Sequence, residues 1–349
     1  MDINNKILDI YNIKTNILPK FFLQDADITM IKFKDTEKQR AVFKVKANNA
    51  TYCLKKVYYD EKNLLFVYSA MEWLYRNKIL VPRLLPSIDN NRFIFHENML
   101  FILTPWVEGE KCNFDSITDI RLSIETLAKL HKCSKKFTPI QGSIYRKGLE
   151  NLYLSINKHF NDILENSNLA SSYNDKFSKL YMNNLDANLS LSKLSLEIAS
   201  SINSNNLNIS LCHGDYVNKN ILINNSDVCI IDFDKCKIDY CAHDLAYFLR
   251  RLLKRESTNW NVAITIDIIN TYLKFNNLNS DDLKYILAYL AFPQKFWKIS
   301  RDYYKNIDKC NKNSFIALFL KGLNRSKDQL DYINNMIEVL QRYYNVKFI

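Results

Sequence analysis

The chain has 349 residues, of which 47% are hydrophobic and 13% aromatic, so it can bury a substantial core and is not a disordered protein. Its formal net charge is +11 and its pI is near 9.1, which allows anionic partners and disfavours a strongly cationic substrate. No compact basic tract or nucleic-acid-binding motif accompanies this charge, so we expect no nucleic-acid partner.

The N-terminus and the cysteines indicate a cytoplasmic protein. The first residues, MDINNKILDIYNIK, lack a basic region leading into an apolar stretch, as a signal peptide would have. The longest apolar run, YILAYLAF over 285–292, is too short to span a bilayer. The eight cysteines form no CxxC pair, which favours reduced thiols. We therefore expect synthesis in the cytoplasm and no membrane partner.

The first third of the chain is rich in strand patterns. A helix is predicted over 61–78, where apolar residues recur at helical spacing. Five segments with β-favouring residues surround it: 28–34, 41–47, 51–57, 92–96 and 99–107. No glycine lies between the first two strands (KDTEKQR), so no glycine-rich loop is expected there.

After about residue 112 the pattern becomes helical. Ser116 and Asp119 resemble a capping box in front of a helix. Residues 145–205 read as mostly helical, with interruptions near 166–174 and 203–208. A β-hairpin is expected in NILINNSDVCIIDF, and almost only helices should follow it. The predicted late helices are 243–255, 260–276, 280–300, 313–322 and 326–343.

The sequence LCHGDYVNKNIL, followed closely by VCIIDFD, contains the side chains that phosphoryl transfer requires. This reaction needs a carboxylate that aligns the acceptor hydroxyl, metal ions on the phosphates and a cation that holds the nucleotide. The two carboxylates after the hairpin and the D-x-x-x-x-N spacing in the loop match that requirement. The combination predicts a kinase-like site that uses ATP and Mg²⁺.

Each residue of the motif has an expected role. Asp215 should accept or orient the proton of the acceptor hydroxyl, whereas His213 should only fix the loop. Asn220, Asp232 and Asp234 offer the hard oxygen ligands that Mg²⁺ prefers. We therefore assign Asp215, Asn220 and Asp232 as catalytic residues. The metal ligands are expected to be Asn220, Asp232 and Asp234.

The nucleotide should be held by the N-terminal strands. In TYCLKKV, Lys55 follows Leu54 as the lysine follows isoleucine in V-A-I-K, so we assign it to the phosphates. The backbone around Thr104 and Trp106, in LTPWVEG, is expected to meet the adenine. Glu72 lies late in its helix and is expected to be an ordinary surface residue, which leaves the partner of Lys55 open.

Together these patterns predict an α+β, bilobal, protein-kinase-like fold. A small β-rich N-lobe should span residues 1–104, a hinge 105–112 and a large helical C-lobe 113–349. The long stretch between His131 and His213 indicates inserted helices, as in small-molecule kinases rather than protein kinases.

A family resemblance is visible at this point. LCHGDYVNKNIL, IIDFD, HDLAYFL and LAKLHK (127–132) resemble the aminoglycoside phosphotransferase and choline kinase superfamily over most of the chain. HDLAYFLRRLLKR and LAFPQKFWKISRDYY are more specifically similar to the CotS-type spore coat proteins of endospore-forming bacteria. That resemblance implies synthesis in the mother cell, location in the spore coat and other coat proteins as partners.

The resemblance leaves three functions open. The first is a phosphotransferase that uses ATP and Mg²⁺ and acts on a hydroxyl of a small molecule or saccharide. The second is a catalytically inactive kinase-like scaffold in the spore coat. The third is an aminoglycoside-resistance phosphotransferase, which the basic net charge disfavours.

Several residues of the narrower match have two interpretations. Phe292, Phe296 and Trp297 are read first as core anchors and alternatively as the lining of an acceptor pocket. Asp244 should tie the start of its helix to the HGD loop. The helix ends in four cations, which form either a solvated face, the interpretation we favour here, or an anion-binding patch: Arg250, Arg251, Lys254 and Arg255.

Overall fold

The computed structural model describes residues 8–34, 39–47, 49–323 and 325–348, and the chain forms two compact units. The first, which we call the sheet unit, consists of Met1–Asn113, Lys132–Lys147 and Asn218–Lys237. The second, the helical unit, consists of Phe114–His131, Gly148–Val217 and Ile238–Ile349. The predicted α+β class is confirmed, while the predicted hinge over 105–112 stays a prediction.

An antiparallel sheet forms most of the sheet unit. Its strand order is β1-β2-β3-β5-β4, and a helix, α1, follows β3. Three short helical turns precede β1, the first strand of this sheet: Ile10–Asn12, Ile13–Ile17 and Leu18–Phe21. The elements are β1 (Asp27–Lys34), β2 (Arg40–Ala47), β3 (Ala50–Val57), α1 (Glu61–Arg76), β4 (Ile94–His96) and β5 (Met99–Pro105).

Strand alternation explains how this sheet buries one face. In β2, the fully buried Phe43 and Val45 alternate with half-buried Val42 and Lys44. Leu54 in β3 pairs with Phe43, so apolar side chains stack across the strands. All five predicted strands are present. The segment KDTEKQR, where no glycine-rich loop was expected, lies partly outside the described residues (35–38).

Five short strands come later in the chain. β6, β8 and β9 form a three-stranded antiparallel sheet, in which β8 and β9 are the predicted hairpin, and β7 pairs with β10. The strands are β6 (Glu110–Lys111), β7 (Ile209–Cys212), β8 (Ile221–Asn224), β9 (Asp227–Ile230) and β10 (Lys237–Tyr240).

The rest of the described chain consists mainly of helices. They are α2 (Ile117–Cys133), α3 (Leu152–Tyr173), α4 (Lys176–Asn183), α5 (Leu185–Ser200), α6 (Cys241–Leu253), α7 (Val262–Leu273), α8 (Ser280–Ala291), α9 (Gln294–Lys305), α10 (Lys312–Leu323) and α11 (Ser326–Tyr344). Side-chain caps set several of their starts. The hydroxyl of Ser116 accepts a hydrogen bond from the backbone of Asp119, as the capping pattern predicted.

Two helix predictions were wrong. The expected helix 280–300 is two helices, because Pro293 cannot continue α8 and instead precedes the first residue of α9. The expected interruption at 166–174 does not occur before Asn174. The Ser171 and Ser172 hydroxyls bond to carbonyls one turn earlier, so these polar residues are accommodated inside α3.

None of the helices in the described ranges combines the length and the apolar character that crossing a membrane requires.

Candidate functional site

Lys55 is held between two carboxylates in the sheet unit. Its Nζ donates to Oδ1 of Asp232 and to Oδ1 of Asp234, both at 2.7 Å. The lysine comes from the middle of β3, which is paired on both sides, and the carboxylates follow the hairpin strand β9. The structure therefore brings together three residues that sequence reasoning had singled out, and it supplies the partners of Lys55 that were missing.

The two carboxylates keep Lys55 charged. Burial alone would lower the pKa of the Lys55 ammonium, but Asp234 and Asp232 outweigh that effect and raise the pKa above its usual value. Burial and the nearby Asp234 carboxylate also raise the pKa of Tyr59, whose hydroxyl donates to Oδ1 of Asp234 at 3.3 Å. The cluster thus contains a fixed ammonium and a fixed phenol.

Two arginines complete the surroundings of Asp234. Arg146 donates from Nη2 to the Asp234 carbonyl at 2.7 Å, and Nη1 of Arg40 lies 3.8 Å from the Asp234 Oδ2. That Oδ2 is buried and has no hydrogen-bond partner among the described residues. A buried carboxylate oxygen normally has such a partner, so this atom is suited to a ligand.

Asp232 has an unusual backbone conformation. Its φ of 66° and ψ of 60° place it in the left-handed region, between β9 and a short 3₁₀ turn. This conformation costs about 1 kcal/mol for a residue with a Cβ, although aspartate tolerates it better than most. Strain of this kind is common at functional sites, and here it accompanies a carboxylate that contacts Lys55.

Asn220 is anchored beside the same loop. The residue is buried, and its backbone carbonyl accepts a hydrogen bond from the backbone of Ile231 at 2.9 Å. Asn220, Asp232 and Asp234 therefore present amide and carboxylate oxygens within one unit. This donor set includes the buried Oδ2 of Asp234, which accepts no hydrogen bond from the described residues, and it fits Mg²⁺, which binds oxygen ligands.

Glu72 is not the surface residue that was expected. It is 8% exposed, and both of its oxygens accept hydrogen bonds from Arg83 at 2.9 Å. The bidentate pair explains the burial, because a buried carboxylate needs such compensation. Arg83, seven residues beyond the end of α1, gave no sequence signal for this contact.

Thr104 and Trp106 lie at the end of β5. Thr104 pairs with Cys53 of β3, and the Trp106 backbone N–H donates to Thr51 at 2.9 Å. The Lys44 ammonium lies 4.3 Å from the centre of the Trp106 indole. These contacts fix the segment to the sheet, and its contact with adenine stays a prediction.

In the helical unit, Asp244 holds the HGD loop. Its Oδ2 accepts from the backbone of His213 at 2.6 Å and its Oδ1 from the backbone of Gly214 at 2.9 Å. Gly214 has a φ of 73°, which a residue without a Cβ adopts easily. The predicted tie between Asp244 and this loop is confirmed.

Asp215 is presented by that loop. His213 is fully buried, and its Nδ1 accepts from the Asp215 backbone at 3.2 Å, in keeping with a structural role. The hydroxyl of Tyr247 donates to Oδ1 of Asp215 at 3.2 Å, and Nη2 of Arg251 donates to the Tyr247 hydroxyl at 2.9 Å. The carboxylate is thus oriented by a side chain of α6.

Sequence reasoning missed Arg40, Arg146 and Tyr247. Tyr247 follows Asp244 by nearly one helical turn, so helical spacing alone would have placed both on one face of α6. Arg40 shares a face of β2 with Val42, the residue opposite Lys55, but finding this requires the strand register. Arg146 lies in a loop and gave no local signal.

Comparison with known proteins identifies the family of this chain. The model of the phosphotransferase enzyme family, APH, matches residues 31–272, more than half of the chain. The chain therefore belongs to this family. The narrower CotS-type assignment has no such support.

Solved structures of low sequence identity share the fold. An aminoglycoside phosphotransferase from Alicyclobacillus acidocaldarius is 16% identical with a TM-score of 0.74, over 93% of this chain and 95% of that one. An amicoumacin kinase in complex with AMP-PNP, Ca²⁺ and Ami is 12% identical with a TM-score of 0.64, over 95% of both chains. A microcompartment-associated aminopropanol kinase is 12% identical with a TM-score of 0.61, over 98% of this chain and 100% of that one.

Proposed function

We propose that this member of the phosphotransferase enzyme family transfers the γ-phosphoryl group of ATP to a hydroxyl of a small molecule or saccharide. The observation that carries the proposal is Lys55 held at 2.7 Å from both Asp232 and Asp234. A fixed cation beside two carboxylates is the arrangement that binding of a nucleotide with its metal requires.

In the sheet unit, Lys55 binds the nucleotide phosphates, and the Thr104–Trp106 backbone meets the adenine. Asn220, Asp232 and Asp234 would hold Mg²⁺, which would neutralise charge on the phosphates. The buried Oδ2 of Asp234 supports this assignment, because it accepts no hydrogen bond from the described residues and would gain one contact from a ligand.

In the helical unit, Asp215 acts on the acceptor. The acceptor oxygen forms a bond to the γ-phosphorus, the bond between that phosphorus and the bridging oxygen of ADP breaks, and the hydroxyl proton passes to Asp215. Tyr247 donates to one oxygen of this carboxylate and thereby orients it toward its task as the proton acceptor.

The named neighbours support a nucleotide with a small acceptor. One was solved with AMP-PNP, Ca²⁺ and Ami, and another is named as an aminopropanol kinase. Because these proteins are only 12% identical to this chain, their substrates support the class of reaction and leave the acceptor to be argued from this chain's own residues.

The test is binding and hydrolysis of Mg-ATP by the purified protein. Asp232→Ala should abolish metal-dependent nucleotide binding, and Asp215→Ala should lower turnover about 1000-fold, as loss of a general base does. Asp227→Ala, an exposed aspartate of the same hairpin, is the matched control and should behave like the parent. A parent protein that binds no nucleotide in the presence of Mg²⁺ would overturn the proposal and favour the inactive scaffold.

We infer that the reaction takes place in the spore coat, after synthesis in the mother cell, with other coat proteins as partners. The support is the FPQKFWK stretch and the Tyr-Tyr pair that follows it. Phe292, Phe296 and Trp297 are all buried, and the Trp297 indole donates to Asp162, so this segment anchors the helical unit. A tagged protein found throughout vegetative cells and absent from spores would contradict this location.

A further inference from the structure

A large cavity in the helical unit has a cationic wall. Its volume is about 1320 Å³, and the end of α6, the start of α9 and the junction of α10 with α11 line it. Among the lining residues that the structure describes, eight are lysine or arginine and three are aspartate or glutamate. The cavity therefore concentrates positive charge.

Two of the three acidic residues already have cationic partners. Asp115 accepts from Nη2 of Arg255 and from the hydroxyl of Ser257, both at 2.6 Å. Glu256 lies 3.5 Å from Arg325. These contacts pair Arg255 and Arg325 with carboxylates, and the third acidic residue, Asp328, forms no ion pair with the described residues.

Lys254, Lys295 and Lys321 form the uncompensated part. None of them has a carboxylate within ion-pair distance in the described part of the chain. Burial, together with the nearby positive charges of Arg251, Lys295 and Arg250, lowers the pKa of Lys254 to about 8. Burial, Lys321 and Arg251 likewise lower the pKa of Lys295. These ammonium groups repel one another across the cavity.

Such a wall is costly until an anion binds to it. Lys254 is half-buried, whereas Lys295 and Lys321 are exposed, so solvent screens part of their repulsion. A phosphate or carboxylate converts the remaining repulsion into charge-assisted hydrogen bonds. A protonated amino sugar would add to the repulsion instead.

The cavity reaches a side chain that orients Asp215. Tyr247 and Arg251 both line it. Arg251 donates to the Tyr247 hydroxyl, which in turn donates to Asp215 at 3.2 Å. A ligand that binds the cations of the cavity is therefore connected to Asp215 through Tyr247.

We propose that the acceptor is a small hydroxyl-bearing molecule that carries phosphate or carboxylate groups, bound in this cavity with a hydroxyl at Asp215. The inference rests on the proposed function and specifies the substrate class. It also favours the second of the two interpretations of Arg250, Arg251, Lys254 and Arg255. All four line the cavity, and the first three are assigned to an anion site, whereas Arg255 is paired with Asp115.

Binding is tested with probes that share one ring and differ in charge. Glucose 6-phosphate, glucuronate, glucose and glucosamine are titrated into the full chain by calorimetry at pH 7, with inorganic phosphate as a further arm. We expect one or both anionic sugars to bind at least about tenfold more tightly than glucose, and glucosamine most weakly. Comparison of glucose 6-phosphate with glucuronate identifies the anionic group that the cavity prefers. If inorganic phosphate bound as tightly as glucose 6-phosphate, a role for the sugar hydroxyls would be overturned.

Substitutions of the cavity lysines test whether the anionic probe binds in the cavity. Lys254→Met with Lys295→Met should weaken the anionic probe about 100-fold, since two charge-assisted contacts are lost. Lys254→Arg with Lys295→Arg should retain the affinity. The matched control is Lys179→Met with Lys193→Met, two exposed lysines of α4 and α5 that change the net charge equally. Equal binding by the cavity variant and this control would overturn the inference.

Nucleotide binding is measured separately in the same preparation. Metal-dependent ATP binding without a preference for anionic sugars would overturn the substrate class and leave the phosphotransferase proposal standing. Absence of ATP binding would overturn the phosphotransferase proposal, and with it the description of the cavity ligand as an acceptor.

Discussion

The two charged regions of the molecule differ in how their cations are compensated. In the sheet unit, Lys55 contacts two carboxylates and is largely buried with them. In the helical unit, Lys254 and Lys295 line a cavity where the described residues offer them no carboxylate. In the first cluster the cation is already compensated by carboxylates of the protein, whereas in the second the cations gain anionic partners only when an anion binds.

Lysines with and without carboxylate partners are expected to have different roles. A compensated buried pair stabilises the fold, because removing one partner leaves the other charge unpaired. An uncompensated cation is a cost to the folded state that binding recovers. Substitution of Lys55 should therefore lower stability, whereas substitution of Lys254 should lower anion affinity with little loss of stability.

The largest expected effect is on Lys55→Met. The carboxylates of Asp232 and Asp234 would be left without their cation, and we expect the free energy of unfolding to fall by about 2–3 kcal/mol, less than for a fully buried pair because Asp232 is partly exposed. Urea denaturation measures this. Lys56→Met, at the next position of the same strand, should cost less than about 1 kcal/mol, because it loses one hydrogen bond to Gln39. Equal losses in the two variants would contradict the comparison.

A second prediction tests whether a charged group stabilises the fold because it has partners, whichever of the two units contains it. Asp244 belongs to the helical unit and accepts from two backbone amides, and its Oδ2 lies 3.4 Å from His131. Asp244→Asn should lower the free energy of unfolding by about 2 kcal/mol, as loss of a charged acceptor in a buried network does.

The pH dependence of stability checks the same residue. Burial would raise the pKa of Asp244, but its hydrogen bond and charge interaction with His131 lower the pKa overall. Its contribution should be complete above the ordinary aspartate pKa and disappear as the pH falls through the lowered value. An Asp244→Asn variant whose stability still falls as steeply as the parent's in that acid range would contradict this assignment.

A third prediction concerns the uncompensated cluster. Since Lys254 has a pKa of about 8, with Arg250, Arg251 and Lys295 facing it, it loses its proton as the pH rises from 7 to 9. Glucose 6-phosphate keeps its charge over that range because its second pKa is about 6. Its affinity should therefore fall about tenfold, the effect of one lost charge-assisted contact.

Variants of Lys254 show whether the change in affinity with pH comes from the titration of Lys254 or from that of another group. Lys254→Met should bind weakly at both pH values, and Lys254→Arg should bind as tightly at pH 9 as at pH 7. The fold itself should become more stable as the pH rises through about 8, since the lowered pKa penalises the charged form. An affinity that does not change with pH in the parent would indicate that Lys254 does not contact the anion.

Much of this architecture could be predicted from the sequence because its signals are local. The alternation in β2, the capping pattern before α2 and the HGD loop each lie within a few residues of chain. The pairing of Asp244 with that loop was predicted because the motif places the residue at a helix start. Pro293 was the local signal that was overlooked.

What the sequence could not show depends on distant residues. The Arg83 partner of Glu72 and the contact of Arg146 with Asp234 join segments that no periodicity connects. The same is true of Lys254 and Lys295, whose helices carry ordinary cationic ends when each is read alone. Only the packing of α6 and α9 turns these residues into one cavity wall.

The smallest expected effect is on the link between the cavity and Asp215. Tyr247→Phe removes the hydroxyl that donates to Asp215 and accepts from Arg251, while it keeps the ring. Loss of one such hydrogen bond costs about 1 kcal/mol, so kcat/KM for an anionic acceptor should fall about fivefold. Tyr289→Phe is the matched control, because Arg250 lies 3.6 Å from the centre of that ring, which the substitution keeps. If both variants match the parent, the cavity binds its anion without orienting Asp215, and the compensated and uncompensated clusters act independently.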